Sequence, residues 1–186
     1  MAETYEIRTE RLNLRAPMQT DAQRITDLIG IKDVVWNLGR APYPYHLSDA
    51  QSWIARCAAD ITAGTEYPFV IENSEDGVVG AVGLNAHPGD VWEIGYWVGK
   101  PWWGKGYITE AAQAVLDWAT REKAITAFIS GHYVDNPASG RVLEKLGFEP
   151  VGVLDLPGKA RGMAYPAQRY TRGAPPETAM KYANHA

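Results

Sequence analysis

The chain has 186 residues, 46% of them hydrophobic and 22% charged, with a formal net charge of −4. That profile fits one soluble domain over residues 1–186, long enough for a single sizeable core. An acidic balance without any Lys/Arg cluster argues against a general nucleic-acid binder and leans toward a cationic partner.

Residues 11–16 (RLNLRA) alternate apolar and polar and read as a first strand. Thr20 and Gln23 have capping-box spacing, and Ile25, Leu28 and Ile29 follow at helical intervals before Gly30. A short second helix is expected around 32–38, then an aromatic loop, GRAPYPYHL, over 39–47. Ser48 and Gln51 repeat the capping box and open a third helix that stops at Gly64. Its apolar face holds the single cysteine, Cys57, beside Trp53, Ile54, Ala58 and Ile61, which reads as core packing.

Strands then take over. Residues 67–73 and 78–84 flank a hairpin turn, and VWEIGYWV (91–98) follows Pro88-Gly89-Asp90. A helix runs from about Ile108, with Ile108, Ala112, Val115 and Ala119 on one face and Glu110, Gln113, Asp117 and Arg121 on the other. AITAFISGHY (124–133) reads as a buried strand, and Asn136-Pro137 opens the last clear helix, Asn as cap and Pro at its first position. Two more strands fit 148–154 and 165–171, with a partly frayed tail over 173–186. The order is that of an α+β mixed sheet with helices on both faces. The amino terminus, MAETYEIRTERL, has no apolar h-region, and no stretch approaches a membrane span; a cytoplasmic protein with no membrane or nucleic-acid partner is expected.

Between the strand at 91–98 and its helix lies GKPWWGKGY. Strand, glycine turn, helix start is the order of an anion cradle, since the first N–H groups of a helix lack internal partners and its dipole adds positive charge. An ordinary tight turn is the plain alternative. A Walker loop needs Ser or Thr after Lys105, where Gly106 stands, and a dinucleotide fingerprint needs a third glycine where Thr109 stands. What remains is an anion site without a metal or nicotinamide signature, and no His/Cys/Asp cluster has metal-ligand spacing.

EIGYWVGKPWWGKGYITEA, followed after a helix and a strand by NPASGRVLEKLGF (136–148), resembles the GNAT superfamily of acetyl-CoA-dependent N-acetyltransferases, in particular its RimJ/RimL-type branch. The resemblance covers roughly residues 8–155. It implies a mostly antiparallel central sheet, splayed between its fourth and fifth strands (91–98 and 124–133) to admit the coenzyme. It implies acetyl-CoA as cosubstrate and direct transfer to a primary amine within a ternary complex. The backbone of Trp97 and Val98 would pair with the pantetheine arm. Trp103 and Asn136 would adjoin the coenzyme, and Gly104, Lys105, Gly106, Tyr107 and Ile108 would surround the pyrophosphate. Pro101 stands where the family carries Gln or Arg. Arg141 and Lys145 read better as a solvated helix face.

Amine acetylation needs a base for the amine, a stabilised oxyanion and an outlet for the thiolate. Glu93, between Trp92 and Ile94 and on the same face as Gly95 and Trp97, is the candidate base. Burial in that company would raise its pKa into a useful range. In that role Glu93→Gln would fold normally and lose most turnover; the bland alternative is a structural ion pair. Ser139, third in its helix, would ordinarily bond local backbone; the RimL-like resemblance places it near the coenzyme sulfur. Leu143 occupies the position of the tyrosine acid of many GNAT members, which shifts that role onto Ser139. Trp36, Tyr43, Tyr45 and Trp97 are candidates to line the acceptor slot, and His132 is a weaker candidate for a proton relay. Cys57, in a helical core, does not suit covalent catalysis.

The acceptor is expected to be a protein α-amine, because a group titrating near ~7.7–8.0 is partly neutral at pH 7, whereas a lysine near ~10.4 demands a stronger base. A small amine, amino acid or antibiotic is the alternative acceptor, and a non-catalytic acyl-CoA sensor the alternative of another class. The resemblance leaves room for a homodimer.

Overall fold

The computed structural model describes residues 5–182. Eight strands form one sheet: β1 (Glu6–Arg8), β2 (Asn13–Arg15), β3 (Glu66–Asn73), β4 (Gly77–His87), β5 (Val91–Val98), β6 (Ala127–Tyr133), β7 (Glu149–Gly158) and β8 (Met163–Arg172). Their order across the sheet is β1-β2-β3-β4-β5-β6-β8-β7. Every neighbouring pair is antiparallel except β5 and β6. The sequence reading missed β1, so the expected fourth and fifth strands are β5 and β6.

Period-two alternation puts helices on both faces. Along β3, Phe69 and Ile71 enter the main core with Ala112, Val115 and Ala119 of α4 (Tyr107–Lys123) and Leu143 of α5 (Pro137–Lys145). Val70 between them enters a second core with Ile25 and Ile29 of α1 (Ala22–Ile29), Val35 of α2 (Lys32–Val35), and Ala50 and Ile54 of α3 (Leu47–Ala63). Ala112, Val115 and Ala119 are wholly buried, as the helical spacing requires.

Three local expectations need correction. Both capping boxes lie earlier than Thr20 and Ser48: Asp21 accepts from the Met18 N–H at 2.8 Å, and Asp49 accepts from the His46 N–H at 2.8 Å. An Asp at these positions reaches back over one turn, and neither Gln23 nor Gln51 is needed. Asn136 stands at the N-cap of α5 with Pro137 next, but its side chain makes no capping bond. The tail is not frayed through residue 182. Residues 173–182 carry helix α6 (Pro176–Lys181), with Ala179 wholly buried and Tyr182 donating to the Pro88 carbonyl at 3.0 Å; residues 183–186 lie outside the described part. Among the described residues, no helix is long and apolar enough to cross a membrane.

Candidate active site

The site begins where the parallel pairing of β5 with β6 stops. Residues 91–93 of β5 pair with 127–129 of β6, and β6 then continues against β8 from Ile129 to Tyr133. One last stitch closes the apex, Ser130 Oγ donating to the Ile94 carbonyl at 2.8 Å. Beyond it the strands diverge, and a cleft of about 1330 Å³ runs between them, lined on one arm by Tyr96, Trp97 and Val98 and on the other by Gly131 and His132.

Which backbone groups face the opening follows from register. The Gly99 N–H donates to Val79 of β4 at 2.8 Å, so by antiparallel alternation Trp97, in register with Ala81, also turns its polar groups toward β4. The two strands approach so closely there that a side chain on Gly80 would overlap the Trp97 carbonyl. Trp97 therefore cannot offer its backbone to a ligand; Tyr96 and Val98 face the opening. The Val98 carbonyl is already engaged by Trp103 Nε1 at 2.8 Å. The open edge consists of both polar groups of Tyr96 and the Val98 N–H.

At the mouth of the cleft the glycine turn behaves as its sequence demands. Gly104 and Gly106 have φ of 74° and 79°, and Gly106 is the N-cap of α4. A left-handed residue immediately before a helix aims successive amides outward, and the first helical bond closes only from the Glu110 N–H to the Gly106 carbonyl at 3.1 Å. A Cβ on Gly104 would meet nothing within 4 Å, so this face of the turn is open to a ligand. The cradle is braced from β1–β2: Arg11 Nη1 donates to the Lys105 carbonyl at 3.0 Å and Arg11 Nε to Glu110 at 2.6 Å. Glu110, placed by periodicity on the face opposite the apolar one, also accepts from Thr9 Oγ1 at 2.5 Å. An open amide edge leading to an anion cradle fits an extended, amide-bearing diphosphate.

Glu93 sits at the apex, buried, and its surroundings reverse the expected pKa shift. Burial does oppose its ionisation, but the hydrogen bond from His87 Nε2 at 3.1 Å and the charge of Arg169, with Nη1 at 2.8 Å, outweigh it. The carboxyl is held below the ordinary carboxylate range. Arg169 is 1% exposed, and its Nε donates to the Ala179 carbonyl of α6 at 3.0 Å. The ion pair named as the alternative is formed, with Arg169 as its partner. Sequence reasoning missed Arg169; a lone arginine inside the strand at 165–171 was the available signal, since a buried cation requires an anion.

Ser139 lies beside the opening, on the first turn of α5, and its Oγ donates to Tyr96 Oη at 3.0 Å. Leu143 is wholly buried in the main core. As the sequence implies, α5 offers no phenol at that position, and one from β5 approaches Ser139 instead. His132 lines the same cleft, with Nδ1 directed at the Tyr133 carbonyl at 2.8 Å and Nε2 3.4 Å from Tyr170 Oη.

Of the residues expected to line the acceptor slot, Trp36, Tyr45 and Trp97 line the cleft, whereas Tyr43, 46% exposed, does not. Burial, first among its influences, pushes the Tyr45 phenol up to about 12. Arg161 joins this wall to the β7–β8 hairpin. Its guanidinium lies 4.1 Å from the Tyr133 ring centroid and 4.3 Å from that of Tyr165, pairs with Asp135 at 2.9 Å, and donates through Nε to the Trp36 carbonyl at 2.9 Å. Arg161→Ala is expected to raise KM for the amine by about tenfold with KM for acetyl-CoA unchanged, which initial rates at varied concentrations of each substrate would check; a loss of about 1.4 kcal/mol is within the range of one charged hydrogen bond.

Cys57 is buried, and desolvation pushes its thiol up to about 12. The native protein is expected to react with a thiol reagent at pH 8 only at the rate of unfolding, and fast labelling without denaturant would refute this placement. Among the described residues no group of His, Cys, Asp and Glu is arranged to hold a metal ion.

The acetyltransferase (GNAT) domain family matches residues 11–149. The chain belongs to this family. This GNAT acetyltransferase is 28% identical over 157 residues to the uncharacterized N-acetyltransferase p20 of Bacillus licheniformis, covering 83% of this chain and 88% of the relative. It is 26% identical over 159 residues to the ribosomal-protein-serine acetyltransferase of Escherichia coli, covering 83% and 87%. Among solved structures, RimL, a ribosomal alpha-N-protein acetyltransferase in complex with coenzyme A, aligns with a TM-score of 0.80 at 20% identity over 91% of this chain and 98% of that one. Ribosomal-protein acetyltransferases are thus among its relatives, and GNAT acetyltransferases take their acetyl group from acetyl-CoA.

Proposed function

We propose that this GNAT acetyltransferase transfers acetyl from acetyl-CoA to the α-amine at a protein amino terminus, by direct attack within a ternary complex in the cytoplasm. The observation that carries the choice of amine is the state of Glu93. Its carboxylate is held ionised between Arg169 and His87, so proton affinity at the apex is low. A site with a weak base favours an amine that arrives already neutral. An α-amino group near ~7.7–8.0 does so far more often than a lysine near ~10.4. The names of the RimL-like relatives point the same way.

In this reading the open edge of Tyr96 and Val98 orients the pantetheine amides, and the amides of Gly104, Lys105, Gly106, Tyr107 and Ile108 hold the diphosphate, with Lys105 adding charge. Trp103 fixes the end of β5 beside them. Asn136, its amide not spent on capping, faces the coenzyme from α5. Trp36, Tyr45 and Trp97 wall the amine's approach from the other side. As nitrogen bonds to the acetyl carbon, the carbon–sulfur bond breaks and the proton shed by nitrogen ends on sulfur. Glu93 keeps Arg169 neutralised and takes the proton, at most, through a water.

Coenzyme release should be followed with three sets of acceptors: peptides with free amino termini, the same peptides terminally blocked but carrying lysine, and small amines or amino acids. The first set is expected to exceed the others by at least tenfold in kcat/KM. Preference for blocked lysine peptides or for small amines would overturn the choice of acceptor.

A further inference from the structure

A serine in the first turn of a helix ordinarily spends its hydroxyl on nearby backbone. Ser139 does not. Its Oγ donates to Tyr96 Oη at 3.0 Å, while Tyr96 Oη donates to the Ser139 carbonyl at 3.1 Å. The partners are 43 residues apart, one on β5 and one on α5, so this two-bond clasp crosses the opening between the strand arms. Tyr96 stands on the same face of β5 as Ile94 and Val98, and its ring packs against the main core. A phenol there must find a partner, because an apolar neighbourhood offers it none. Burial pushes the phenol above its ordinary pKa, so it keeps its proton at neutral pH. On α5 itself, the position one turn on is the wholly buried Leu143, which offers no hydroxyl.

We propose that Tyr96 is a positioning residue for the departing thiolate, drawing the Ser139 hydroxyl away from its helix and across the cleft where it can donate to the coenzyme sulfur. The proposal rests on the coenzyme placement given above. When the carbon–sulfur bond breaks, its electron pair stays on sulfur. Ser139 Oγ–H turns from Tyr96 Oη to that sulfur, and Tyr96 Oη–H turns from the Ser139 carbonyl to Ser139 Oγ. No proton leaves Tyr96; the one that finally rests on sulfur comes from the amine.

Coenzyme A by itself is the probe. Its affinity for the wild-type protein, Tyr96→Phe, Ser139→Ala and the double variant is read by calorimetry, and the titration of the bound thiol by its alkylation rate against pH. In the wild type the bound thiol should lose its proton about tenfold more readily than in free coenzyme. Each single variant should remove most of that difference and the double variant no more, with affinities within twofold. Ser139→Thr, which keeps the hydroxyl, should behave as wild type. In turnover, Tyr96→Phe should lower kcat about tenfold at unchanged KM for acetyl-CoA, and the defect should shrink with the selenoester analogue, whose leaving group is stable as an anion. Equal thiol titration in wild type and Tyr96→Phe, or a defect equally large with the selenoester, would overturn the role of Tyr96. Should Tyr96→Phe unfold, Ser139→Ala against Ser139→Thr carries the same comparison. Failure of wild-type protein to bind coenzyme A would overturn the coenzyme placement and this proposal together, and calorimetry separates that result from the others.

Discussion

Glu93→Gln is expected to unfold about 10 °C below the wild type. The substitution keeps shape but removes the charge that neutralises Arg169, whose side chain is 1% exposed. Breaking a buried pair by removing one partner costs about 3–5 kcal/mol, and each kcal/mol lowers Tm by about 2–4 °C in a domain of this size. The pH dependence has a definite sign. The folded pKa of Glu93 lies below its ordinary value, so its stabilisation is complete above the unfolded value near ~4.3 and is lost as pH falls through the folded pKa. Melting curves of both proteins between pH 3 and 7 check this: the gap between them should be full at neutral pH and close toward acid. A variant that melts like the wild type but has lost turnover would restore Glu93 as a base.

Gly106→Val has the second large effect, and it falls on the coenzyme. Gly106 holds φ of 79° as the N-cap of α4. Around its Cβ position there is only ordinary contact with Arg11 at 3.5 Å, so the obstacle is conformational rather than steric crowding. A β-branched residue in the left-handed region costs roughly 1–2 kcal/mol. The turn can relieve that strain by rotating its amides out of the cradle. Acetyl-CoA affinity is expected to fall at least tenfold, about 1.4 kcal/mol, with little change in kcat at saturation. Calorimetry reads the first and initial rates the second. Undiminished affinity would mean that the diphosphate is held elsewhere.

The contrast between these two sites explains what was legible in the chain. The glycine turn was readable because it is local: glycines, a helix start and the strand before them sit within twenty residues, and each residue's conformational limits decide its place. The strand at 91–98 was readable for the same reason, as a run of apolar and aromatic residues interrupted only by Glu93 and Gly95. The state of Glu93 was not, because its partners are His87 on β4 and Arg169 on β8. Pairing across a sheet depends on strand order, which a run of sidechains does not encode by itself. Tyr96 was hidden differently. It lay in plain view within the right strand, but its partner belongs to α5, and only the divergence of β5 and β6 lets the two meet. Trp97 was given the wrong backbone role because the position of the alternation depends on register with β4, to within one residue.

The hydrogen bond from Arg169 to the Ala179 carbonyl has a consequence for how the molecule is assembled. The guanidinium at the apex of the cleft is neutralised by a residue 76 positions earlier and capped by a turn of helix still later in the chain. Ribosomal synthesis therefore delivers the glycine turn at 104–106 and the cleft residues Trp36, Tyr45 and Trp97 before it delivers Arg169 and α6. Because contacts of long sequence separation tend to slow folding, the Arg169 ion pair and the α6 contact are expected to form later than the local glycine turn.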